Sequence, residues 1–468
     1  MQLKFCGAAG HVTGSAHLIT LEDGFTVLLD CGLYQGSGED MANFNLKWMF
    51  NPADINCLVL SHAHIDHCGK IPKLVKDGFR GIIYSTPATR DITSIMLMDS
   101  AKIQHSDAEF YNKRKRKANK DFKELRQPLY DSEDVRMTMS LFVSMPYHHD
   151  FKVHPDVLVK FRDAGHILGS ANVHLTVSES GQITRLGFTG DIGRPLRPIL
   201  NDPEPMDACD YLIAESTYGD RVHKAAPAET QDLIRVIKET CVERRGKVII
   251  PAFSLGRTQE ILYILDQLYN EGKLPKVPVY MDSPLAINAT EIFRIHPECF
   301  DKELSEYMLV DENPFGFNTL SYMRSVEMSK SLNLDDEPCI IISASGMANA
   351  GRIRHHIYNN IENPKNTILF VGYCSPGTLG GILKSGVPEV KLYGEIKQVR
   401  AKIEILESFS AHGDKNEMLD FMKNQIPNLK TMFLVHGEPI PQKSYKEFLL
   451  NAGFKNIQIP SLGESVTL

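Results

Sequence analysis

Four side chains of metal-binding type lie close together near residue 65. They are His62, His64, Asp66 and His67, and they follow an apolar run, Cys57–Leu60, that predicts a strand. Side chains two positions apart in an extended segment point the same way, so His62 and His64 can bind one ion. Asp66 and His67 come just before the next predicted helix and can face a second ion. Imidazole and carboxylate ligands are typical of zinc, and manganese or iron would also accept them.

Two ions need more ligands than this segment supplies. Three further candidates, His166, Asp191 and His436, each end an apolar strand at a loop that contains glycine. Side chains from several strands can converge at such loops. Taken singly, each of the three is more simply read as a core or loop residue. Only their joint fit with the first segment makes them ligand candidates.

An internal repeat relates two of these regions. Residues 9–16 read AGHVTGSA and residues 164–171 read AGHILGSA. Each copy is followed by a strand that ends in an acid before glycine, Asp30 in the first and Asp191 in the second. The repeat predicts two related halves stacked about a pseudo-twofold axis. It pairs His11 with His166, but alone it does not say which copy binds metal.

The composition is that of a globular chain with two or three domains. Of the 468 residues, 43% are hydrophobic and 23% are charged. The nine cysteines are scattered without a C-x-x-C pair, which argues against a disulfide scaffold or a thiolate zinc site. The longest apolar runs have strand length and the N-terminus lacks a signal-peptide pattern, so we expect no membrane segment and a cytoplasmic location. Since the net charge is −7, a phosphate ligand would have to be attracted by local charge.

The predicted elements change their rhythm along the chain. The first 200 residues read as short strands broken by glycine and aspartate, with helices between some of them, which indicates a mixed α/β half. From about residue 228, apolar strands alternate with amphipathic helices, which predicts a parallel, doubly wound sheet. Short strands return after about residue 395, at Lys402–Glu407 and Lys430–Val435. The simplest arrangement is one α/β domain with a second domain inserted near its end.

The sequence resembles the metallo-β-lactamase superfamily and, within it, the β-CASP nucleases, a group that includes the mRNA 3′-end cleavage endonuclease and the bacterial RNase J enzymes. The resemblance covers nearly the whole chain and implies a four-layer αββα metallo-β-lactamase fold with an inserted doubly wound parallel-sheet β-CASP domain. It implies boundaries at 1–215, 216–395 (the insertion) and 396–468. The segments that carry the resemblance are 29–32 (LDCG), 62–67 (HAHIDH), 164–166 (AGH), 190–191 (GD), 214–219 (AESTYG), 409–413 (FSAHG) and 435–437 (VHG).

The resemblance also implies the ligands of two Zn²⁺ ions per chain, with Mn²⁺ or Fe²⁺ as alternatives. The first ion would bind His62, His64, His166 and Asp191, and the second would bind Asp66, His67, His436 and the bridging Asp191. Asp30 would orient a ligand imidazole, and His11 would have no role. Members that cut RNA carry histidine at position 436, whereas the DNA-repair branch typically carries valine, so His436 favours RNA.

The reaction that the resemblance implies is hydrolysis of RNA phosphodiester bonds. A hydroxide held by the two metals would attack phosphorus, and Asp66 is a catalytic residue as well as a ligand. His412, oriented by Glu215, resembles the general acid that protonates the leaving 3′ oxygen. The expected products carry a 5′-phosphate and a 3′-hydroxyl, and endonuclease action is favoured over 5′-exonuclease action. The alternatives are the same fold acting on DNA or a small ester, and a non-catalytic subunit of an RNA-processing complex.

Serine- and glycine-rich loops of the insertion, and the residues before His412, are candidates for substrate binding. Backbone amides at strand-end loops that lead into helices suit phosphates, although either loop alone is more simply an ordinary turn. RNA is the expected partner, no membrane contact is expected, and a homodimer would fit the family. The candidate substrate-binding residues are Ser343, Ser345, Gly346, Arg352, Tyr373, Ser375, Ser410 and Ala411.

Two further features are interpreted structurally. Asp414, with Glu417 three residues later, has the spacing of a helix N-cap with a capping box. The basic run at residues 113–117 (KRKRK) is first interpreted as a solvated loop or helix end, with an RNA-backbone contact as the alternative.

Overall fold

The computed structural model describes residues 1–36, 39–117, 125–223, 229–372, 374–406 and 411–468. Contacts within the chain divide it into two units. Unit 1 comprises residues 1–197, 201–222 and 412–468, and unit 2 comprises residues 198–200 and 223–411. Unit 1 contains all the predicted metal ligands.

Unit 1 is built on two seven-stranded sheets. The first sheet has the strand order Ser465–Thr467, Gln2–Phe5, His17–Thr20, Thr26–Leu29, Cys57–Val59, Ile82–Ser85 and Phe142–Ser144. The second sheet has the order Ile457–Gln458, Thr431–Val435, Tyr211–Glu215, Gln182–Phe188, Ala171–Glu179, Val157–Asp163 and Phe151–His154. The first and last strands of each order are the edge strands of that sheet. Both sheets contain parallel and antiparallel pairs.

The two sheets of unit 1 share one apolar core. In strand Val157–Asp163 every second residue is buried, as expected for a strand with one face on a core. Phe5 of the first sheet and Phe161 and Phe433 of the second belong to this core and are almost completely inaccessible. Burial of each of these side chains stabilises the fold by about 1.5–3 kcal/mol. The packing of one sheet on the other is therefore set by these side chains.

Helices cover the outer faces of both sheets. Leu58 of the first sheet packs in a cluster with Leu74 and Leu97 of two helices, and Leu212 of the second sheet packs with Met418 and Leu449 of two others. This arrangement confirms the predicted αββα layers. The α-helices of unit 1 are Glu39–Leu46, Ile65–Cys68, Ile71–Lys76, Pro87–Lys117, Ser132–Met139, Lys415–Met422 and Pro439–Asn451, with 3-10 turns at Pro52–Asp54 and Lys423–Gln425. Asp414 caps the helix Lys415–Met422 in a capping box with Glu417, which confirms that prediction.

Unit 2 is built on a six-stranded sheet in which every pair is parallel. Its strand order is Leu320–Tyr322, Val279–Met281, Ile340–Ser343, Val248–Pro251, Thr367–Phe370 and Lys402–Ile405. Val248 and Ile250 belong to the core on one face and Ile249 to the core on the other, so both faces are covered and the doubly wound architecture is confirmed. A separate hairpin joins Glu389–Leu392 to Glu395–Gln398.

The helices that cover this sheet follow the predicted alternation. They are Glu229–Ile237, with a π-helical continuation at Lys238–Glu243, then Arg257–Asn270, Pro284–Arg294, Lys302–Tyr307, Val326–Ser331, Ile353–Asn360 and Leu379–Lys384, with a 3-10 turn at Pro297–Cys299. In the part of the chain that the structure describes, no helix of either unit combines the length and the apolar character that a membrane span requires.

The second boundary between the units differs from the one expected at residue 396. Strand Lys402–Ile405 pairs in parallel with Thr367–Phe370 and is the edge strand of the sheet in unit 2, and this unit extends to Ala411. The predicted assignment of this strand to the first domain therefore does not match its pairing. A short apolar strand carries no local signal for which of two sheets it joins, because pairing is a long-range property.

Glycines allow the ligand-bearing loops of unit 1 to approach one another. A Cβ atom at Gly193 would lie 1.8 Å from the carbonyl oxygen of Gly165, next to His166. We expect Gly193→Ala to lower the free energy of unfolding of unit 1 by about 2–3 kcal/mol, because the loop must move to make room. Urea unfolding followed by the fluorescence of Trp48, the single tryptophan, measures this unit.

Gly181→Asn is the matched control for that substitution. A side chain at Gly181 meets no atom within 4 Å, and asparagine accepts the left-handed backbone of this hairpin turn (φ +76°). Its cost should stay below about 1 kcal/mol. Equal unfolding free energies for the two variants would contradict the close approach.

Candidate metal centre

The predicted ligands lie shortly after strands of unit 1, most of them in loops, and Asp66 and His67 in the short helix Ile65–Cys68. His62 follows Cys57–Val59 of the first sheet, whereas His166, Asp191 and His436 follow three strands of the second. His62, His67, His166, Asp191 and His436 are each at most 5% exposed. Their side-chain nitrogens and oxygens form two groups, and within each group the atoms lie within 4.8 Å of one another.

The first group contains His62, His64, His166 and Asp191. His64 Nδ1 lies 3.1 Å from His62 Nε2 and 3.1 Å from His166 Nε2. Asp191 Oδ2 completes the group at 3.4 Å from His62 Nε2 and 3.5 Å from His166 Nε2. Three imidazole nitrogens and one carboxylate oxygen converge here, which is a donor set that suits a four-coordinate zinc ion.

The second group contains Asp66, His67 and His436. His436 Nε2 lies 3.1 Å from His67 Nε2 and 3.4 Å from Asp66 Oδ2. The other carboxylate oxygen of Asp191, Oδ1, lies 3.3 Å from His67 Nε2. Asp191 therefore presents one oxygen to each group, which is the arrangement of a carboxylate that bridges two ions.

The side chains that face each other inside the centre can hold a cation between them. His67 Nδ1 is directed at Asp30 Oδ2, 2.7 Å away, so a neutral His67 carries its proton there and turns a lone pair inward at Nε2. Asp191 Oδ1, which that lone pair faces, is buried and has no hydrogen-bond partner. Lone pairs and carboxylates in mutual contact repel unless positive charge lies among them. The residues present thus fit two divalent ions.

The electrostatics of the centre favour positive charge beside its carboxylates. Burial acts to raise the pKa of Asp191, but the imidazoles of His436 and His67 outweigh it and hold that pKa well below its usual range. Burial acts to lower the pKa of His67, but the carboxylates of Asp191 and Asp30 raise it well above its ordinary value. Without an ion, a protonated His67 therefore balances these carboxylates, and a cation that binds there takes the place of its Nε2 proton.

Two imidazoles of the first group are held neutral, the state in which histidine binds metals. Burial, with His62 as a neighbour, lowers the pKa of His64 to about 3. Burial also lowers the pKa of His166 well below its ordinary value, and the nearby His412 acts in the same direction. These rings need no deprotonation to act as ligands.

Residues around the ligands fix the orientation of the rings. Asp30 accepts hydrogen bonds from the Ser61 backbone N–H (2.8 Å) and the Ser61 hydroxyl (2.9 Å) in addition to its contact with His67. Ser61 Oγ also lies 3.1 Å from His62 Nδ1, and Thr217 Oγ1 lies 3.0 Å from His436 Nδ1. Asp30 was predicted from the sequence, whereas Ser61 and Thr217 were not. Ser61 directly precedes the ligand segment and Thr217 lies two residues after Glu215, and this adjacency was the available signal.

Two of these residues occupy unusual backbone conformations. Asp30 and His436 have φ values of 57° and 49°, in the left-handed region that residues other than glycine seldom adopt. The His436 N–H donates to the Ala8 carbonyl (2.7 Å), and the Asp30 N–H donates to the Val59 carbonyl (3.1 Å). These bonds hold both residues just past their strands, where the backbone turns and the side chains enter the centre.

A carboxylate–imidazole pair lies beside the first group. His412 Nδ1 is 3.2 Å from Glu215 Oε2, and the His412 ring lies 4.6 Å from the ring of His166. Glu215 is completely buried and accepts hydrogen bonds from the Ile192 N–H and the Thr217 hydroxyl. Burial acts to lower the pKa of His412, but Glu215 and Asp191 outweigh it and raise the pKa to about 9. The imidazole is therefore protonated at neutral pH.

His412, Glu215 and Asp191 also lie close enough together to be considered as ligands of a further ion. The contacts of Glu215 favour a different interpretation. Its two oxygens already accept two hydrogen bonds and contact His412, so its role is to position the imidazole rather than to bind metal.

The candidate substrate-binding residues of unit 2 are more constrained than the sequence indicated. Arg352 places its guanidinium 2.6 Å from Asp282 Oδ1 and donates to the carbonyl groups of Met323 and Arg324. Ser343 is buried and donates to the Asp282 carbonyl. Both side chains therefore hold the loop in place, and substrate contact from them would require their release.

The other candidates for substrate binding differ in accessibility. Ser345 contacts Ala350 through its hydroxyl, and Gly346 packs against the ring of Phe253, where a Cβ atom would lie 2.6 Å from a ring carbon. Ser375 is half-buried in the loop before helix Leu379–Lys384, and Ala411 is the last residue of unit 2. Tyr373 and Ser410 lie outside the described residues.

Three family descriptions match consecutive segments of the sequence. Residues 9–248, just over half of the chain, match the metallo-beta-lactamase superfamily. Residues 258–383 match the Beta-Casp domain, and residues 396–460 match the Zn-dependent metallo-hydrolase RNA specificity domain. The last segment contains both His412 and His436.

Similar proteins come from bacteria and archaea. A ribonuclease of Thermus thermophilus is 33% identical, and the match covers 100% of both chains. An RNase J-like protein of Methanocaldococcus jannaschii is 32% identical, with 98% of this chain and 97% of that protein covered. The transcription termination factor FttA of Methanosarcina mazei is 29% identical over 88% of this chain and 63% of its own length.

The internal repeat provides a matched pair of variants for metal binding. We expect His166→Ala to lose an ion, because its Nε2 belongs to the first group. His11→Ala should keep the full metal content, because His11 Nδ1 contacts the Tyr34 hydroxyl (3.1 Å) and His11 belongs to neither group. Elemental analysis of the purified variants measures both. Equal metal loss in the two variants would contradict the assignment.

The contact between Asp30 and His67 predicts an indirect effect on metal affinity. Asp30→Asn removes the carboxylate that fixes the proton of His67, so we expect metal affinity to fall roughly 10–100-fold. Competition with a chelating dye measures the affinity. Ser15→Ala, which removes a 3.2 Å donor to the same carboxylate but leaves His67 untouched, should change it much less. An unchanged affinity in Asp30→Asn would refute the orienting role.

Proposed function

The chain belongs to the β-CASP group of the metallo-β-lactamase superfamily and is a metal-dependent ribonuclease, and from this premise we propose that it uses two zinc ions to cleave RNA internally. The proposed products carry a 5′-phosphate and a 3′-hydroxyl. The observation that carries the proposal is the pair of ligand groups that share Asp191, with the His412–Glu215 pair beside them. A bridged two-ion centre with an adjacent protonated imidazole suits hydrolysis of a phosphodiester bond.

The residues that would hold the ions are those of the two ligand groups. His62, His64, His166 and Asp191 would bind one ion, and Asp66, His67, His436 and Asp191 would bind the other. When bound, two such ions activate water and offset the charge of the phosphoryl oxygens. The protein contributes a fixed arrangement of ligands, because the contacts of Asp30, Ser61 and Thr217 hold the rings in place.

His412 supplies the proton that the leaving group needs. Hydrolysis forms a bond between the water oxygen and phosphorus and breaks the bond between phosphorus and the 3′ oxygen. The imidazole carries a proton at neutral pH, and Glu215 engages its Nδ1, so Nε2 delivers the proton to the 3′ oxygen. Glu215 is a positioning residue in this scheme, since it acts through His412.

RNA is favoured over DNA or a small ester as the substrate. The match to an RNA specificity domain includes His412 and His436, and the relatives that match almost end to end are named a ribonuclease and an RNase J-like protein. A non-catalytic subunit is disfavoured because every predicted ligand position is filled and the donor atoms converge. We also predict internal cleavage and a homodimer.

End-labelled RNA tests the proposal. We expect wild-type protein to release internal fragments with 5′-phosphate ends, and a chelator to stop cleavage until zinc or manganese is restored. His412→Ala should bind RNA and keep its metal but cut on the order of 100-fold more slowly, because the leaving oxygen loses its proton donor. His105→Ala, an exposed imidazole also paired with a carboxylate (Glu109, 3.3 Å), is the control and should cut normally.

Three outcomes would overturn parts of this proposal. Turnover of a chromogenic ester without RNA cleavage would exclude the ribonuclease assignment. Release of mononucleotides from the 5′ end alone would replace internal cleavage by exonuclease action. Normal cleavage by a metal-loaded His412→Ala would remove His412 as the proton donor.

A further inference from the structure

One helix of unit 1 begins beside the metal centre and ends in a basic surface. Helix Pro87–Lys117 contains 31 residues, and its first turn contacts the loop that carries His166. The hydroxyls of Thr86 and Thr89 both donate to the carbonyl oxygen of Gly169, at 2.6 and 2.7 Å. A rise of 1.5 Å per residue places Lys113 about 36 Å from Thr89 along the helix axis.

The far end of this helix carries a built arrangement of cations around an aromatic ring. The Arg126 guanidinium lies 4.1 Å and the Lys115 ammonium 5.4 Å from the centre of the Tyr111 ring. Two hydrogen bonds of 2.9 Å join the Asn112 side chain to the Arg126 backbone and fix this residue against the helix. Lys113 and Arg116 are exposed in the last turns of the same helix, away from the ring contacts. We call Tyr111, Lys113, Lys115, Arg116 and Arg126 the basic platform.

Three cations of the basic platform have no acidic partner among the described residues. Among the residues that the structure describes, no carboxylate forms an ion pair with Lys113, Arg116 or Arg126, and all three are exposed. Cations near a helix C-terminus interact favourably with the helix dipole, but that effect is confined to the last turn and is weak at a solvated surface. A cluster of this size in a chain with a net charge of −7 is more than a helix end requires.

We propose that the basic platform is a second RNA-binding surface, which contacts the phosphates of the strand whose scissile bond lies at the metal centre. The inference rests on the proposed function, since it takes RNA as the substrate. Cations held on an aromatic ring suit a polyanion with stacking bases. At about 3.4 Å per nucleotide of a stacked strand, the 36 Å of helix corresponds to about 11 nucleotides. The surface therefore selects substrates by length.

The test compares RNA of two lengths with a variant of the platform. The variant is Lys113→Gln/Lys115→Gln/Arg116→Gln, and the substrates are unstructured RNAs of roughly 40 and roughly 6 nucleotides, on either side of the length that spans the helix. We expect KM for the long RNA to rise about 10-fold with little change in kcat, and KM for the short RNA to change less than about twofold. The melting temperature should stay close to that of the wild type.

Direct binding separates this inference from the proposed function. Fluorescence anisotropy measures binding of the long RNA in the presence of chelator, so that no cleavage occurs. In the variant, the slope of log Kd against log salt should fall by about 2, because each lost contact to a single strand removes about 0.7. Weaker RNA binding by the variant than by the wild type would support the platform, whether or not the wild type cuts RNA. Failure of the wild type to cut RNA would refute only the proposed function.

A charge-matched control excludes a general electrostatic effect. Lys273→Gln/Lys276→Gln/Lys302→Gln removes the same charge from exposed lysines of unit 2. Lys276 lies before strand Val279–Met281, and Ser343 ends the parallel strand Ile340–Ser343. Lys276 and the Ser343 loop therefore lie at opposite ends of the strands of this sheet. An equal rise in KM in both triple variants, or no length dependence, would overturn the proposal. So would loss of binding to anionic phosphatidylserine vesicles with RNA binding unchanged, because the surface would then recognise a membrane.

Discussion

The carboxylate of Asp191 directs one oxygen at each of two groups of imidazoles, and the organisation of unit 1 follows from what this buried charge requires. A carboxylate in the protein interior is costly unless positive charge lies beside it. We propose that ions held by His62, His64 and His166 on one side and by His67 and His436 on the other supply that charge. Because these ligands come from loops on both sheets, the apolar core between the sheets must fix their separation. The core packing and the chemistry of the site therefore depend on each other.

Support for the ligands comes from neutral groups as well as from charge. Ser61 and Thr217 contact the outward nitrogens of His62 and His436, and Asp30 contacts that of His67. Thr217 also donates to Glu215, which in turn positions His412. One hydroxyl thus links His436, a proposed ligand of the second ion, to His412, the proposed proton donor. A change at Thr217 would disturb both the metal centre and the protonation of the leaving group, although Thr217 itself would touch neither the ions nor the substrate.

Most of the candidate centre could be predicted from the sequence because its residues are chemically distinctive. Closely spaced histidines and aspartates have few structural uses, and an acid or imidazole before glycine at a strand end marks a loop where the backbone turns. Serine and threonine are too common for Ser61 or Thr217 to be selected in the same way. The sheet that receives Lys402–Ile405 could not be predicted, since strand pairing is decided by distant residues. The role of Arg352 was also hidden, because its partner Asp282 lies 70 positions earlier in the chain.

The distance along the chain between the ligands has a consequence during synthesis. His67 and His436 are 369 positions apart, and the whole of unit 2 between them must be translated first. At about 5–20 residues per second, roughly 20–70 s separate the appearance of these two histidines. The ligands proposed for the first ion are made early in that interval, whereas His412, the proposed proton donor, is made near its end and His436 last. The complete set of proposed ligands exists only once His436 has been made, so a chain still being translated before that point lacks part of the centre proposed to cut RNA.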